Sequence, residues 1–257
     1  MAWKCEIIYF YLVVQINLST ITEHLEGFEE TIVFKLIDRA QYKMNSIVYE
    51  HGKSGFNGAG NKSLFELRLR RQERMDAQFG RFCVPEERAF TKHLPKPRRK
   101  VNLPDAGLFC EDFNVVNLTE DILKAYQELL PRLCVKGADG HFGSSVEHDV
   151  YALQAISRRV HYGALYIAEC KYRSGPDIYR AIIEAGDTHA LQSLLTRKDV
   201  EEAIITRVRK KMASAQARIN DRVRNFIDPD IMVRFYRDRI IPLTKKGEVT
   251  YLLNRKK

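Results

Sequence analysis

Cysteine is scarce and scattered in this chain. Five occur in 257 residues (Cys5, Cys83, Cys110, Cys134, Cys170), an odd number with no CxxC pair. That excludes a disulfide framework or a thiolate zinc site and fits a reducing compartment. The seven histidines show no HxxxH or HExxH spacing, so no histidine-held metal is indicated. Fourteen glycines and eight prolines are too few for a collagenous or low-complexity chain. Long apolar runs are missing too. Ile7 to Val14 is unbroken over eight residues, against the roughly twenty that a membrane span needs. No small-residue cleavage site follows it. Residues 1–17 read as an N-terminal extension, and the chain as cytoplasmic, with secretion the minority alternative.

What is present is charge and helical periodicity. The formal net charge is +9, the hydrophobic fraction 45% and the mean hydropathy −0.34, which describes a soluble, basic, globular chain. No composition shift divides it, so residues 18–257 are expected to form one domain. Leu25, Phe28, Ile32, Phe34, Leu36 and Ile37 mark a helix from about Ser19 to Met44. A second helix, rich in arginine, is expected over Leu64 to Phe82. Thr119 is expected to cap a third helix, running to about Cys134. Ser144-Ser145-Val146-Glu147 fits a capping box opening a long helix through about Tyr172. Thr196 is expected to cap another helix. Asp228-Pro229 should start a last one that stops before Pro242. The fold class expected is all-α.

Two local signals suggest phosphate or nucleic acid. Gly52-Lys53-Ser54 resembles the tail of a phosphate-binding loop, but Ile47 stands where that loop requires glycine and no strand precedes it. Arg68, Arg70, Arg71 and Arg74, with Lys96, Arg98, Arg99 and Lys100, form two basic clusters. No aromatic interleaving or nucleic-acid motif accompanies them, so a nucleic-acid partner is not expected, nor a membrane. No nucleophile motif stands out anywhere. What remains are Arg158, Arg159 and Lys171 inside an apolar helix, where a cation must snorkel out or meet an anion.

Ser157-Arg158-Arg159-Val160-His161-Tyr162-Gly163, followed by Ala168-Glu169-Cys170-Lys171-Tyr172, resembles the signature helix of the eukaryotic all-helical chorismate mutases. Thr31 to Arg39 is similar to that family's first long helix, and Phe142-Gly143-Ser144 to the loop before the signature. Thr196 with Val200-Glu201-Glu202 is similar to a third motif. Ile241 to Lys245, Glu248-Val249 and Tyr251-Leu252-Leu253 resemble the family's closing segment. The ordered motifs cover roughly residues 18–254. The resemblance implies a single-domain helical bundle, a homodimer and no cofactor. It also implies the Claisen rearrangement of chorismate to prephenate, a unimolecular step that needs no nucleophile. By the resemblance, Arg159 clamps a substrate carboxylate and Lys171 donates to the ether oxygen. Glu201 holds the ring hydroxyl, and Thr244 and a protonated Glu248 complete the pocket.

The chain departs from the family pattern in three places. Thr22 stands where the family has an arginine for the second substrate carboxylate, with Arg197 the candidate substitute. Arg159 and Lys171 are twelve residues apart instead of eleven. Eleven residues turn by about 1100° and twelve by about 1200°, so only the former return close to the same face. A π-bulge near Gly163 would absorb the extra residue. The family's paired effector arginines read Gly80-Arg81 here, and its effector threonine reads Glu147, which argues against feedback control by that route. Thr22 and the extra residue leave a catalytically weak or inactive mutase-like binding or dimerisation protein as the alternative reading.

Overall fold

The computed structural model describes residues 16–217, 220 and 222–256. The apolar run Ile7 to Val14 therefore lies outside the described residues, as does most of the expected extension. Within them the chain is helical, with no strand longer than an isolated bridge between Cys110 and Arg255. No helix among the described residues is long and apolar enough to cross a membrane.

The elements are α1 (Leu18–Arg39), α2 (Leu64–Gln78), α3 (Thr119–Leu133), α4 (Phe142–Tyr162), α5 (Ala168–Ser174), α6 (Pro176–Glu184), α7 (Thr188–Leu195), α8 (Lys198–Gln216), α9 (Pro229–Phe235) and α10 (Ile241–Leu253). Two of the joints are π turns. Gly163–Ile167 links α4 to α5, and Tyr236–Ile240 links α9 to α10. Both pairs therefore run on as single rods.

The rods cross the bundle and carry its core. Ile32, Leu36, Ile122, Tyr126, Leu153, Ile156, Val160, Val208 and Tyr236 come together from α1, α3, α4, α8 and the second π turn. A smaller cluster joins Leu165, Ala168, Leu191, Leu195, Tyr251 and Leu252. At the centre, fully buried Asp149 accepts hydrogen bonds from Arg39 Nε (2.5 Å), Tyr49 (2.5 Å) and Tyr126 (2.7 Å). Burying a carboxylate is tolerable only with partners of this kind.

Several expected helix limits move, each for a local reason. α2 is opened by a capping box between Ser63 and Glu66 and ends at Gln78, because Gly80 turns with φ +93°. Thr119 is the first residue of α3 rather than its cap; the Asn117 side chain accepts the Thr119 N–H instead. α4 begins at Phe142, ahead of the expected box, and Glu147 is drawn to Arg68 at 2.9 Å. Thr196 does not cap α8, since its hydroxyl donates back to the Gln192 carbonyl. Asp228 does cap α9, accepting from the Asp230 N–H. Pro242 does not stop the helix. The π turn just before it restarts the backbone pattern at Ile241, so the proline falls in a first turn, where a missing N–H costs little.

Candidate functional site

The site is built where the two rods cross. Gly163 and Gly247 make the crossing close. A Cβ at Gly247 would lie 2.5 Å from Ala164 Cβ, and one at Gly163 would lie 2.8 Å from Thr244 Cγ2 and 3.1 Å from Arg159 Nη1. Neither glycine has an unusual φ; what each provides is room for the facing helix.

This approach brings Arg159 to Thr244. Arg159 is 3% exposed, and its Nη1 donates to Thr244 Oγ1 at 3.2 Å. Its buried Nε has no hydrogen-bond partner. No carboxylate among the described residues lies within ion-pair distance of it, whereas Arg39, the other fully buried arginine, has Asp149, and Arg255 has Glu169. A buried cation without an anion is costly. Such a group is suited to receive an anionic ligand.

The π turn takes up the excess rotation of the twelve-residue spacing, and Lys171 points to α10. Its Nζ donates to Glu248 Oε2 at 2.9 Å and to the Leu195 carbonyl at 3.0 Å. An ammonium has three N–H donors, so one remains uncommitted. Burial raises the Glu248 pKa, while Lys171, Lys245 and Arg159 pull the other way. Lys245 Nζ reaches Glu201 at 2.6 Å, placing the first turn of α8 against α10.

Arg159, Lys171, Thr244 and Glu248 are thus together, with Glu201 held beside them through Lys245. Arg197 is not among them. It is exposed and its guanidinium pairs with Asp199. Thr22 lies on α1 one turn before Leu25, which approaches Gly163, but the Thr22 hydroxyl is spent on the Leu18 carbonyl at 2.8 Å. Neither residue brings a second cation to Arg159.

Two participants had no assigned role in the sequence. Lys245 was visible within the closing motif, one residue after Thr244. His161 occupies the signature itself. Its ring is buried, Nδ1 donates to the Ser157 carbonyl (2.8 Å), and Nε2 accepts the Leu118 N–H (3.0 Å). Burial pushes its pKa down to about 4, so the ring is neutral and acts as a tie between α4 and the start of α3.

No protein-family profile matches the chain. Individual proteins do. It is 36% identical over 255 residues to a chloroplastic chorismate mutase 1 of Zea mays, covering 93% of this chain and 79% of the relative. It is 34% identical over 256 residues to the cytosolic chorismate mutase 2 of Zea mays, covering 94% and 96%. Among solved structures, a Candida albicans chorismate mutase in complex with L-Trp superposes with a TM-score of 0.86 at 31% identity, covering 93% of this chain and 92% of that one.

Proposed function

Because the chain belongs to the chorismate mutase family and shares its rearrangement of chorismate to prephenate, we propose that Arg159, Lys171, Glu201, Thr244 and Glu248 form the pocket in which that reaction occurs. The observation that carries this reading is the buried, anion-free guanidinium of Arg159.

The reaction requires the dianionic substrate to be folded so that its enolpyruvyl arm lies over the ring. Bond breaking then places negative charge on the ether oxygen. Arg159 clamps one carboxylate with its remaining N–H groups, and Thr244 holds the guanidinium by accepting from Nη1. The uncommitted N–H of Lys171 and a protonated Glu248 donate to the ether oxygen, and both are already held in place before substrate enters. Glu201 receives the ring hydroxyl. No proton leaves the substrate, so positioning and charge stabilisation suffice.

Regulation through the position of the family's effector arginines is not part of this reading. Gly80 occupies φ +93°, and a Cβ there would meet Val101 Cγ2 at 2.8 Å. Arg81 is already engaged by Asp76 and Gln154, and Glu147 by Arg68. A homodimer and a cytoplasmic location complete the proposal. The cytosolic relative and the four cysteines unpaired among the described residues (Cys83, Cys110, Cys134 and Cys170) favour that compartment.

The test is chorismate consumption by the purified chain beside Arg159→Ala. Loss of the clamp removes about 2–5 kcal/mol of substrate and transition-state binding, so activity should vanish while the helical circular dichroism is retained. Activity within a few-fold of the parent would move the site elsewhere. Inactivity of the parent itself would leave a mutase-like binding protein.

A further inference from the structure

The arginine-rich helix α2 remains outside the pocket. Arg70, Arg71 and Arg74, with Lys62, line a cleft of about 340 Å³ that Leu67 and the loop residues 57–59 also border. Arg70 and Arg74 are one turn apart on the same face, a like-charge spacing that destabilises a helix unless it is answered. None of the four cations makes an ion pair with a described residue, although α2 and its flanks carry several carboxylates.

Each of those carboxylates is committed elsewhere. Glu66 closes the capping box with the Ser63 N–H and lies 3.3 Å from His51. Glu73 is buried, accepting the Phe90 and Thr91 N–H groups. Asp76 accepts from Gln72 and Arg81. Meanwhile the cations are held in place by other means. The Arg71 guanidinium lies over the Phe56 ring, 4.5 Å from its centroid, and Arg74 donates to the His93 carbonyl. Gly58 and Gly60 turn with φ +74° and +62°, and a Cβ at either would meet nothing within 4 Å, so the loop leaves the cleft mouth clear.

We propose that this cleft binds a compact phosphorylated anion, a phosphate ester or diphosphate, at a site separate from the mutase pocket. Three guanidiniums and an ammonium on one small concavity call for a ligand with at least two charges and oxygens facing several directions, which a phosphoryl group offers. The volume lies at the small end of ligand-site sizes. Glu66 and Asp76 bound the arginine run at about 15 Å along the helix, too short for an extended nucleic-acid strand. The cleft also lies away from Arg159. Arg68, one turn before Arg71, meets Glu147, which precedes Arg159 by twelve residues or about 18 Å along α4.

Titration calorimetry of the full chain with inorganic pyrophosphate, at about 50 mM salt to limit screening, tests the assignment. One saturable site per chain is expected, with citrate weaker. The double variant Arg70→Gln/Arg74→Gln should lose at least about tenfold in affinity, because charge-assisted hydrogen bonds are removed. Both side chains are exposed, so its basal mutase activity should match the parent. Arg159→Ala should bind pyrophosphate as the parent does; loss there instead would put the anion in the mutase pocket and overturn the proposal. Absence of saturable binding, or equal affinity in the double variant, would overturn it too. A single-stranded oligonucleotide that binds more tightly, with the same loss in the double variant, would reassign the patch to nucleic acid.

Discussion

Lys171 and Glu248 face each other at 2.9 Å across the crossing of the two helical rods, and the lysine reaches that position only because of the π turn between it and Arg159. The pair sets the protonation chemistry of the pocket. Burial raises the Glu248 pKa, and the neighbouring cations restrain the rise without cancelling it.

Activity should therefore fall as pH climbs through the raised Glu248 pKa, since only the protonated acid donates to the ether oxygen. Glu248→Gln keeps a donor that does not titrate, so this alkaline limb should flatten in the variant. A kcat/KM profile across pH decides it. A variant retaining the parental limb would take Glu248 out of the chemistry.

Thr22→Arg should lower the KM for chorismate. The parental hydroxyl is turned back on its own helix, and α1 approaches the pocket one turn later through Leu25. An arginine that reaches the second carboxylate adds about 1.5–3 kcal/mol, or roughly ten- to a hundredfold in KM. Steady-state kinetics of parent and variant measured together give the answer. An unchanged KM in an active pair would mean that another cation already fills this role.

His161 should make folding stability depend on acid pH. Its pKa is about 4 when folded against 6.5 for the free ring, so below 6.5 the unfolded chain takes up protons that the folded one refuses. Stability is complete above 6.5 and declines as pH falls toward 4, by a total on the order of 3 kcal/mol. Urea denaturation at stepped pH reads this slope. His161→Ala should be less stable at neutral pH, because the Leu118 N–H loses its acceptor, and should lack this part of the slope.

Much of this molecule was legible before any coordinates. The apolar stripes of α1 and α4 are regular, and the residues of the proposed pocket lie in an ordered set of motifs. The extra residue before Lys171 was legible as a helical phase error, whose physical remedy is the π turn near Gly163. The failures were short-range. Thr119, Ser144 and Thr196 have the composition of caps, yet the helices begin elsewhere, because the Asn117 side chain takes the Thr119 N–H, α4 already starts at Phe142, and the Thr196 hydroxyl turns back to the Gln192 carbonyl. Two short helices, α6 and α7, were not foreseen, although Pro176 after Gly175 and the cap at Asp187 mark their starts. Arg197 is held apart from the other candidates, paired at the surface with its neighbour Asp199.

The π turn also sets what this lineage can give up. Glu169 lies two residues before Lys171 and receives Arg255 and Tyr251, which fasten the C-terminal end of α10. Removing one residue between Gly163 and Ile167 would restore an ordinary helix at the eleven-residue spacing, which returns to within about 20° of the same face. Lys171 would keep facing Glu248, and Glu169 its anchors. Such a deletion should preserve turnover and leave amide hydrogen exchange over 241–253 unchanged. Reversion to the shorter spacing is therefore a single step: the π turn is a one-residue reserve that the lineage can return without re-anchoring the tail.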